Sequence, residues 1–367
     1  MASQPLSADV SLCRLTSNLV TRIREAVSRT LSTSPAVART RSARCAAGTG
    51  VLLAVSGGPD SLCLADAVIA TSAELGVTPI IAHLNHGLRG DAAHQDAVFV
   101  REFAGRHGVT CISGYVDVAR HAQRHKLSIE VAARTVRYAF LARVAEAHNT
   151  PLVALAHHAD DQAETVLMRL LRGTGLQGMQ GMRIHSPLLG APYLTVCRPL
   201  LGMSRGDIER YCEACSLEAR HDASNDQMHY ARNRIRHELL PLLEGYSPNI
   251  RGVLTRLADT VTSDLEVIDH ATHETFERIA RVSEAGVAVD RFAWRALPRG
   301  LQRAVLREAV KCLRGETTNL SYAAIEEARD VLGSDAGVGE IALMTDVRVH
   351  VRWKEFQLVR IKSEPAR

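Results

Sequence analysis

The sequence predicts an α/β protein: a doubly wound, mostly parallel sheet followed by a smaller, mainly helical C-terminal domain. Three observations predict it. From residue 50 to about 172, short apolar runs alternate with helix-length amphipathic segments, as expected of strands that helices cover on both faces. The polar clusters of that region fall where an apolar run ends, which is the ligand-binding end of such a sheet. Beyond residue 248 the alternation gives way to helical periodicity.

Taken in order, Leu15, Leu19, Ile23, Val27 and Leu31 recur at helical spacing and predict a leading amphipathic helix, joined by a loose linker over residues 34–49. The first 50 residues also hold seven Arg, no Lys and two acidic residues, a composition shared with organellar transit peptides. The periodicity favours the helix. Residues 51–55 read as the first strand and 62–75 as the helix after it. Residues 79–84, 109–112 and 152–156 read as further strands, and 91–107, 128–148 and 161–172 as helices. Four glycines in residues 173–182 predict a mobile loop. A helix over 204–215 and an Asx-rich turn, Asp222-Ala223-Ser224-Asn225-Asp226, close this region. A boundary near 247 gives three parts: 1–49, 50–247 and 248–367. The last part is predicted to hold helices over 249–279, 300–313 and 322–332. It ends in a hairpin or meander over 347–361 with one wet face.

Length and composition set outer bounds. The 367 residues suggest about two domains. Net charge is only +4, carried by forty Arg and four Lys, so clustering of Arg says more than its total. No run of about eighteen apolar residues exists to span a membrane. Eight scattered Cys predict a reducing compartment, the cytoplasm. The lone Cys212-x-x-Cys215 pair sits inside a predicted helix, where it reads better as core than as a metal site.

The most informative stretch is Ser56-Gly57-Gly58-Pro59-Asp60-Ser61, between a strand and a helix. Such a turn aims backbone N–H groups and the positive end of a helix dipole at one spot, which suits phosphate. No Lys-Ser/Thr follows the glycines, so it is not a Walker A loop. Three other clusters join it. His83-Leu84-Asn85-His86-Gly87-Leu88-Arg89 follows the second strand, where the adenosine end of a nucleotide would lie. In Ala156–Thr165, two His and three carboxylates within eight residues suggest metal or acid–base work, although Asp161-x-x-Glu164 also has capping-box spacing. Arg232, Arg234 and Arg236 surround Tyr230 with Arg220, His221, His229 and His237 nearby, and a polyanion partner fits that run. Arg137, on the edge of an apolar helix face, is a candidate phosphate contact.

The Ser-Gly-Gly-x-Asp-Ser loop resembles the pyrophosphate loop (PP-loop) of the N-type ATP pyrophosphatases. Together with His83–Arg89, Ala132–Tyr138, Ala156–Gly173, Gly178–Met182, Arg198–Leu201 and Asp222–Pro241, it resembles the tRNA(Ile)-lysidine synthetase family. The resemblance implies a PP-loop ATPase fold of the adenine nucleotide α-hydrolase-like kind. It also implies a ligase that uses ATP to adenylate the wobble cytidine of a CAU-anticodon tRNA(Ile), after which free L-lysine displaces AMP. By position, Ser56, Gly57, Gly58, Pro59, Asp60 and Ser61 would hold the pyrophosphate, and His83 and His86 would line the nucleotide. Mg²⁺ would sit at Asp60 and Asp161. Asp60, Arg137, Asp161 and Glu164 would be catalytic, and Arg232, Asn233 and Arg236 would contact tRNA. No membrane partner is implied, and there is room for a homodimer. Two features depart from the family. Asn85 stands where many relatives have Asp, and the chain ends without the second C-terminal domain of longer members. The expectation is therefore that tRNA is discriminated by residues 1–247 and a single C-terminal module. Two alternatives stay open: a PP-loop tRNA thiolase, which needs a persulfide-bearing Cys or an iron–sulfur site, and an ATP-binding regulator without turnover.

Overall fold

The computed structural model describes residues 7–42, 48–220, 231–317, 319–334 and 339–361. The chain forms two compact units, Met1–Thr260 and Val261–Arg367, divided inside the helix Ile250–Ile279 rather than in a linker.

The first unit is built on a six-stranded sheet of β1 (Thr49–Ala54), β2 (Val77–Asn85), β3 (Thr110–Tyr115), β4 (Leu152–Ala154), β5 (His185–Leu188) and β6 (Ala191–Cys197), in the order β3-β2-β1-β4-β6-β5. All neighbours are parallel except β5 and β6. Those two form a hairpin around Leu189 and Gly190, whose φ of 81° suits glycine. The central strands are largely apolar because both their faces are buried. Val51, Leu53, Ile81 and Leu152 pack on one side, and Leu52, Ala82 and Val153 on the other.

On the first side lie Pro59–Leu75, Asp91–Arg106, Arg205–Ala214 and the leading helix Ser7–Ser32. Leu19, Ile23, Val27 and Leu31 are buried there, so the leading helix belongs to this core. Arg22 and Arg24 tie it to Asp207 and Asp66 at 3.0 and 3.4 Å. The side chain of Leu15 lies outside the described residues. Residues 34–49 are less loose than predicted: Pro35–Ser42 is a helix, and Ala36 and Val37 are buried. The other face carries Val118–His125, a helix not anticipated, and Ile129–Ala147.

In the second unit the β content exceeds expectation. The predicted hairpin over 347–361 is part of a five-stranded antiparallel sheet of β7 (Ala280–Ser283), β8 (Gly286–Asp290), β9 (Gly339–Met344), β10 (Val347–Val351) and β11 (Glu355–Arg360). The order is β7-β8-β11-β10-β9. Val347, Val349, Val351, Phe356 and Leu358 face a core shared with Trp294, Val305, Leu306 and Ile325 of the helices. The short strands β7 and β8 escaped prediction because each gives too few residues to show period-two alternation.

Candidate active site

Strand order locates the site. β1 lies between β2 and β4, so the chain leaves β1 in one direction and returns to its other side. At this reversal the strand ends part and leave a crevice. The segments after β1, β2 and β4 meet there: Ser56–Ser61, His83–Arg89 and His157–Asp161.

The loop after β1 turns at Gly57, where φ is 99°, and Pro59 opens the helix Pro59–Leu75 with Gly58 as its N-cap. Ser61 ties the turn together: its Oγ accepts from the amides of Ser56 and Gly57, both at 3.2 Å, and donates to the Gly58 carbonyl at 2.9 Å. Ser56 Oγ accepts the Gly58 amide at 3.4 Å. Arg220 closes the loop from outside, its amide donating to Gly57 O at 3.0 Å and its guanidinium pairing with Asp96 at 2.6 Å.

Beside the loop stand three histidines held neutral. His83 bonds the Val55 carbonyl through Nδ1 at 2.9 Å, while its buried Nε2 has no partner among the described residues. Burial lowers its pKa. Burial, with Arg137 adding to it, takes His86 down to about 4. Burial takes His157 to about 3, and its Nδ1 accepts from Arg198 at 3.3 Å. Asn85 resolves one departure from the family pattern. It is a buried turn residue whose Oδ1 accepts the Gly87 amide at 2.9 Å, a task that asks for an oxygen but not a charge.

His158 is the opposite case. Burial works against its charge, but Asp160, Asp161 and Asp60 outweigh it and raise the pKa. Its ring nitrogens lie 3.5 Å from Asp160, 3.4 Å from Asp161 and 3.8 Å from Asp60. It also caps the helix Ala159–Leu171, so the box is His158 with Asp161, whose Oδ2 accepts the His158 amide at 3.1 Å. The predicted box of Asp161 with Glu164 is displaced by one turn, because the helix begins two residues earlier than its polar residues suggested.

Glu164 instead points into an ion cluster. It is fully buried and accepts from Arg232 Nε at 2.6 Å and Arg236 Nε at 2.5 Å. Asp161 Oδ1 accepts from the same two residues at 2.7 and 3.4 Å. Burial opposes ionisation of Asp161, but His158 and Arg232 hold its pKa below the usual range. Arg232 and Arg236, expected on tRNA phosphates, are thus drawn onto the two expected catalytic carboxylates. They sit at positions i and i+4 where Ala231–Arg234 runs into a π turn, Ile235–Leu239, anchored by Ile235 and Leu240 against Val166 and Leu167. Arg234 is exposed and, among the described residues, pairs only with Glu238, at 3.3 Å. Asn233 is half-buried beside them. Asp222–Asp226, Tyr230, His221 and His229 lie outside the described residues.

Arg137 carries no hydrogen bond or ion pair to any described residue. Its guanidinium lies 5.7 Å from the Tyr138 ring centroid. Burial lowers its pKa, with Arg134 and Arg232 pressing the same way. A half-buried cation with no counter-ion among the described residues is costly, and an anion placed in the crevice would relieve it.

Five contributors were missed. Arg198, buried, holds His157 and donates to the Arg183 carbonyl at 2.8 Å and Ser186 at 3.0 Å. Asp160 accepts the Arg205 amide at 2.9 Å and Arg251 at 2.8 Å. Arg251 lies beyond the predicted boundary at 247, and nothing local flagged it. Gln162 and Arg169 clamp the glycine-rich segment: Gln162 exchanges two bonds with Met182 at 2.7 and 3.0 Å, and Arg169 reaches Gly181 O at 2.6 Å. The segment expected to be a mobile loop is bound, and contains the short helix Leu176–Met179. Cys212 is a core residue, its thiol pushed up to about 12 by burial.

A family model described as the PP-loop domain matches residues 33–243, spanning β1 to β6 and every element of the crevice. The chain belongs to the PP-loop family. Two relatives of this PP-loop protein bear on its chemistry. It is 37% identical over 314 residues to the tRNA(Ile)-lysidine synthase of Geobacter sulfurreducens, covering 85% of this chain and 65% of that one. It is 35% identical over 293 residues to that of Dehalococcoides mccartyi, covering 79% and 62%. The chain thus spans slightly under two thirds of the length of these relatives. Among solved structures, the U34-tRNA thiolase NcsA from Methanococcus maripaludis with its [4Fe-4S] cluster superposes with a TM-score of 0.52 at 15% identity, covering 67% of this chain and 80% of that one. That likeness establishes the common PP-loop fold. No helix among the described residues is long and apolar enough to cross a membrane.

Proposed function

We propose that this PP-loop protein ligates lysine to C2 of the wobble cytidine in a CAU-anticodon tRNA(Ile), through an adenylated tRNA. One observation carries the reading. A phosphate-type loop, a half-buried cation with no anion among the described residues and a carboxylate pair already charged against cations converge at the strand-order reversal. Two-step chemistry needs all three.

In the first step the cytosine O2 attacks the α-phosphorus of ATP and pyrophosphate leaves. The loop Ser56–Ser61 would receive the β- and γ-phosphates, its serine hydroxyls turning from the loop amides to phosphate oxygens. Arg137 would meet charge developing at the α-phosphate. The neutral histidines His83 and His86 would line the nucleoside without adding charge. In the second step the ε-amine of lysine attacks C2 and AMP leaves with the former O2, which as a free cytosine carbonyl oxygen is a poor leaving group. Asp161 and Glu164 would bind the ammonium and take its proton. In the present arrangement two guanidiniums hold that place, so lysine and these arginines compete for the same oxygens.

Mg²⁺ fits Asp60. Its Oδ1 is buried without a hydrogen-bond partner among the described residues, and burial raises its pKa, so a hard cation would satisfy that oxygen and screen the phosphates. Asp161 fits less well, since both its oxygens are engaged.

The thiolase alternative needs a reactive thiol, whereas in the Cys212 and Cys215 pair burial pushes both thiols up, Cys212 to about 12. Incubation with a CAU-anticodon tRNA(Ile), ATP and labelled lysine tests the proposal. Labelled tRNA with equal release of AMP and pyrophosphate is expected. ATP binding with no pyrophosphate release would instead favour the regulator.

A further inference from the structure

The second unit exposes two aromatic residues side by side. Phe292 and Trp353 are 50% and 60% exposed, with ring centroids 6.3 Å apart at 77°. Aromatic residues are only 4% of this chain and it has two tryptophans, so placing one of them in water is costly and asks for a purpose.

The frame beneath the pair is rigid. Arg291 is almost fully buried, and its guanidinium donates to the carbonyls of Leu332 at 3.0 Å, Arg352 at 3.2 Å and Ser334 at 2.6 Å. Its amide donates to Lys354 O at 2.9 Å. The β10–β11 turn that carries Trp353 is thus tied through one residue to the helix start that carries Phe292. Under both, Trp294 packs edge-on against Phe356 at 5.4 Å. The rings are therefore held in place before any partner arrives.

The rim is cationic. Arg352 and Lys354 flank Trp353 and are both exposed. Arg352 makes a 3.4 Å pair with Glu355, which Arg281 shares at the same distance. Lys354 has no acidic partner among the described residues. A protein partner bound by apolar burial would want a wider apolar patch than two rings. A nucleobase is satisfied by one exposed π face, and its phosphates by the cations on either side.

We infer that Phe292 and Trp353 form a stacking platform for an unpaired nucleotide of the RNA substrate, with Lys354 and Arg352 on its phosphates. The inference rests on the reading that the substrate is a tRNA, and it assigns part of tRNA binding to the second unit. Trp353 supplies its own probe, because Trp294 is fully buried and the exposed ring alone responds to a stacked base. Full-length protein is titrated with CAU-anticodon tRNA(Ile) while tryptophan emission and, separately, lysine incorporation are followed. Quenching that saturates with tRNA is expected. Trp353→Ala should abolish it and weaken tRNA binding roughly tenfold, the worth of one stacked base, while Trp353→Phe keeps most of the affinity. Lys354→Ala should flatten the log–log salt dependence by roughly 0.7–0.9, one phosphate contact. Because these side chains are exposed, an unchanged melting temperature confirms that each variant is folded.

Lysine incorporation with unmoved emission and unaltered Trp353→Ala affinity would overturn the platform and leave the ligase reading intact. Quenching without lysine incorporation would do the reverse. Emission that changes with protein concentration in the absence of RNA would overturn the platform in favour of a second copy of the chain.

Discussion

The two halves of the crevice are made in opposite ways. The phosphate loop is local: six consecutive residues, a hydroxyl bonded to backbone groups three to five positions away, and a helix end supplying the field. The carboxylate half is assembled from afar, Asp161 and Glu164 meeting Arg232 and Arg236 across 68 to 75 positions. A local device is set once its strand and helix form. The distant one exists only when the first unit is complete, and its charges neutralise each other until something stronger intervenes. The first half should therefore tolerate removal of single groups without unfolding, and the second should not.

The largest effect tests that contrast directly. Glu164→Ala would leave two guanidiniums facing a buried carboxyl gap, and breaking a buried pair costs about 3–5 kcal/mol. A chemical-denaturation midpoint should fall accordingly, whereas Ser56→Ala should move it by less than about 1 kcal/mol. Equal losses would end the distinction. On the loop side Arg137 should matter for turnover rather than folding. With no anion partner in the described structure, Arg137→Ala is expected to leave the melting temperature unchanged or raise it. Pyrophosphate release should nevertheless fall by about 10²–10³-fold, as when a transition-state contact is removed. A lower melting temperature with normal release would mark Arg137 as structural.

Asp161→Asn and Glu164→Gln keep shape while removing charge, so they probe chemistry rather than assembly. Lysine transfer should fall by on the order of a hundredfold, with adenylated tRNA accumulating. If adenylation itself is lost, the pair serves ATP and its metal.

How much of this was legible follows from the same contrast. The parallel sheet and the loop Ser56–Ser61 could be read directly, because their cause lies within a dozen residues: an apolar run, a glycine turn, a helix start. Arg232 and Arg236 were visible as a basic run. Their partners were not, since a sequence shows charge and spacing but not which distant carboxylate a helix will cover. Glu164 read as a catalytic carboxylate with capping-box spacing, and its two arginine partners were hidden for the same reason. Asp160 and Arg251 escaped because their bond joins the helix Ala159–Leu171 to the start of Ile250–Ile279 across 91 positions.

Neutral histidines give the loop half a pH signature. His86 and His157 have folded pKa values of about 4 and about 3 against 6.5 for the free side chain. Between pH 6.5 and about 4 the unfolded chain takes up protons that the folded chain refuses. These residues therefore cost nothing above pH 6.5 and destabilise progressively as pH falls through that window. His158, with its pKa raised, acts with the opposite sign. Its contribution is complete below 6.5 and fades as pH climbs through its folded value. Comparing wild type with His157→Gln cancels the shared His158 term. The variant's melting temperature should fall less steeply between pH 7 and 4.5, and parallel slopes would mean that His157 is protonated in the fold.

The smallest expected effect decides what the arginine run does. If Arg232 and Arg236 serve chiefly the carboxylates, the cation of this run left for RNA is Arg234, exposed and held, among the described residues, only by a surface pair with Glu238, which is worth little. Arg234→Ala should then weaken tRNA binding and flatten its log–log salt dependence by roughly 0.7–0.9, with no change in melting temperature. Arg232→Ala and Arg236→Ala should lower the melting temperature and disturb the lysine step, yet leave the salt slope close to wild type. The ion pairs make this the expected division, because a guanidinium bonded to two carboxylates releases no counter-ions from a phosphate. The opposite pattern, a flattened slope in the Arg232 and Arg236 variants and none in Arg234→Ala, would mean that tRNA draws these arginines off Asp161 and Glu164. Binding of RNA would then itself uncover the carboxylates for lysine.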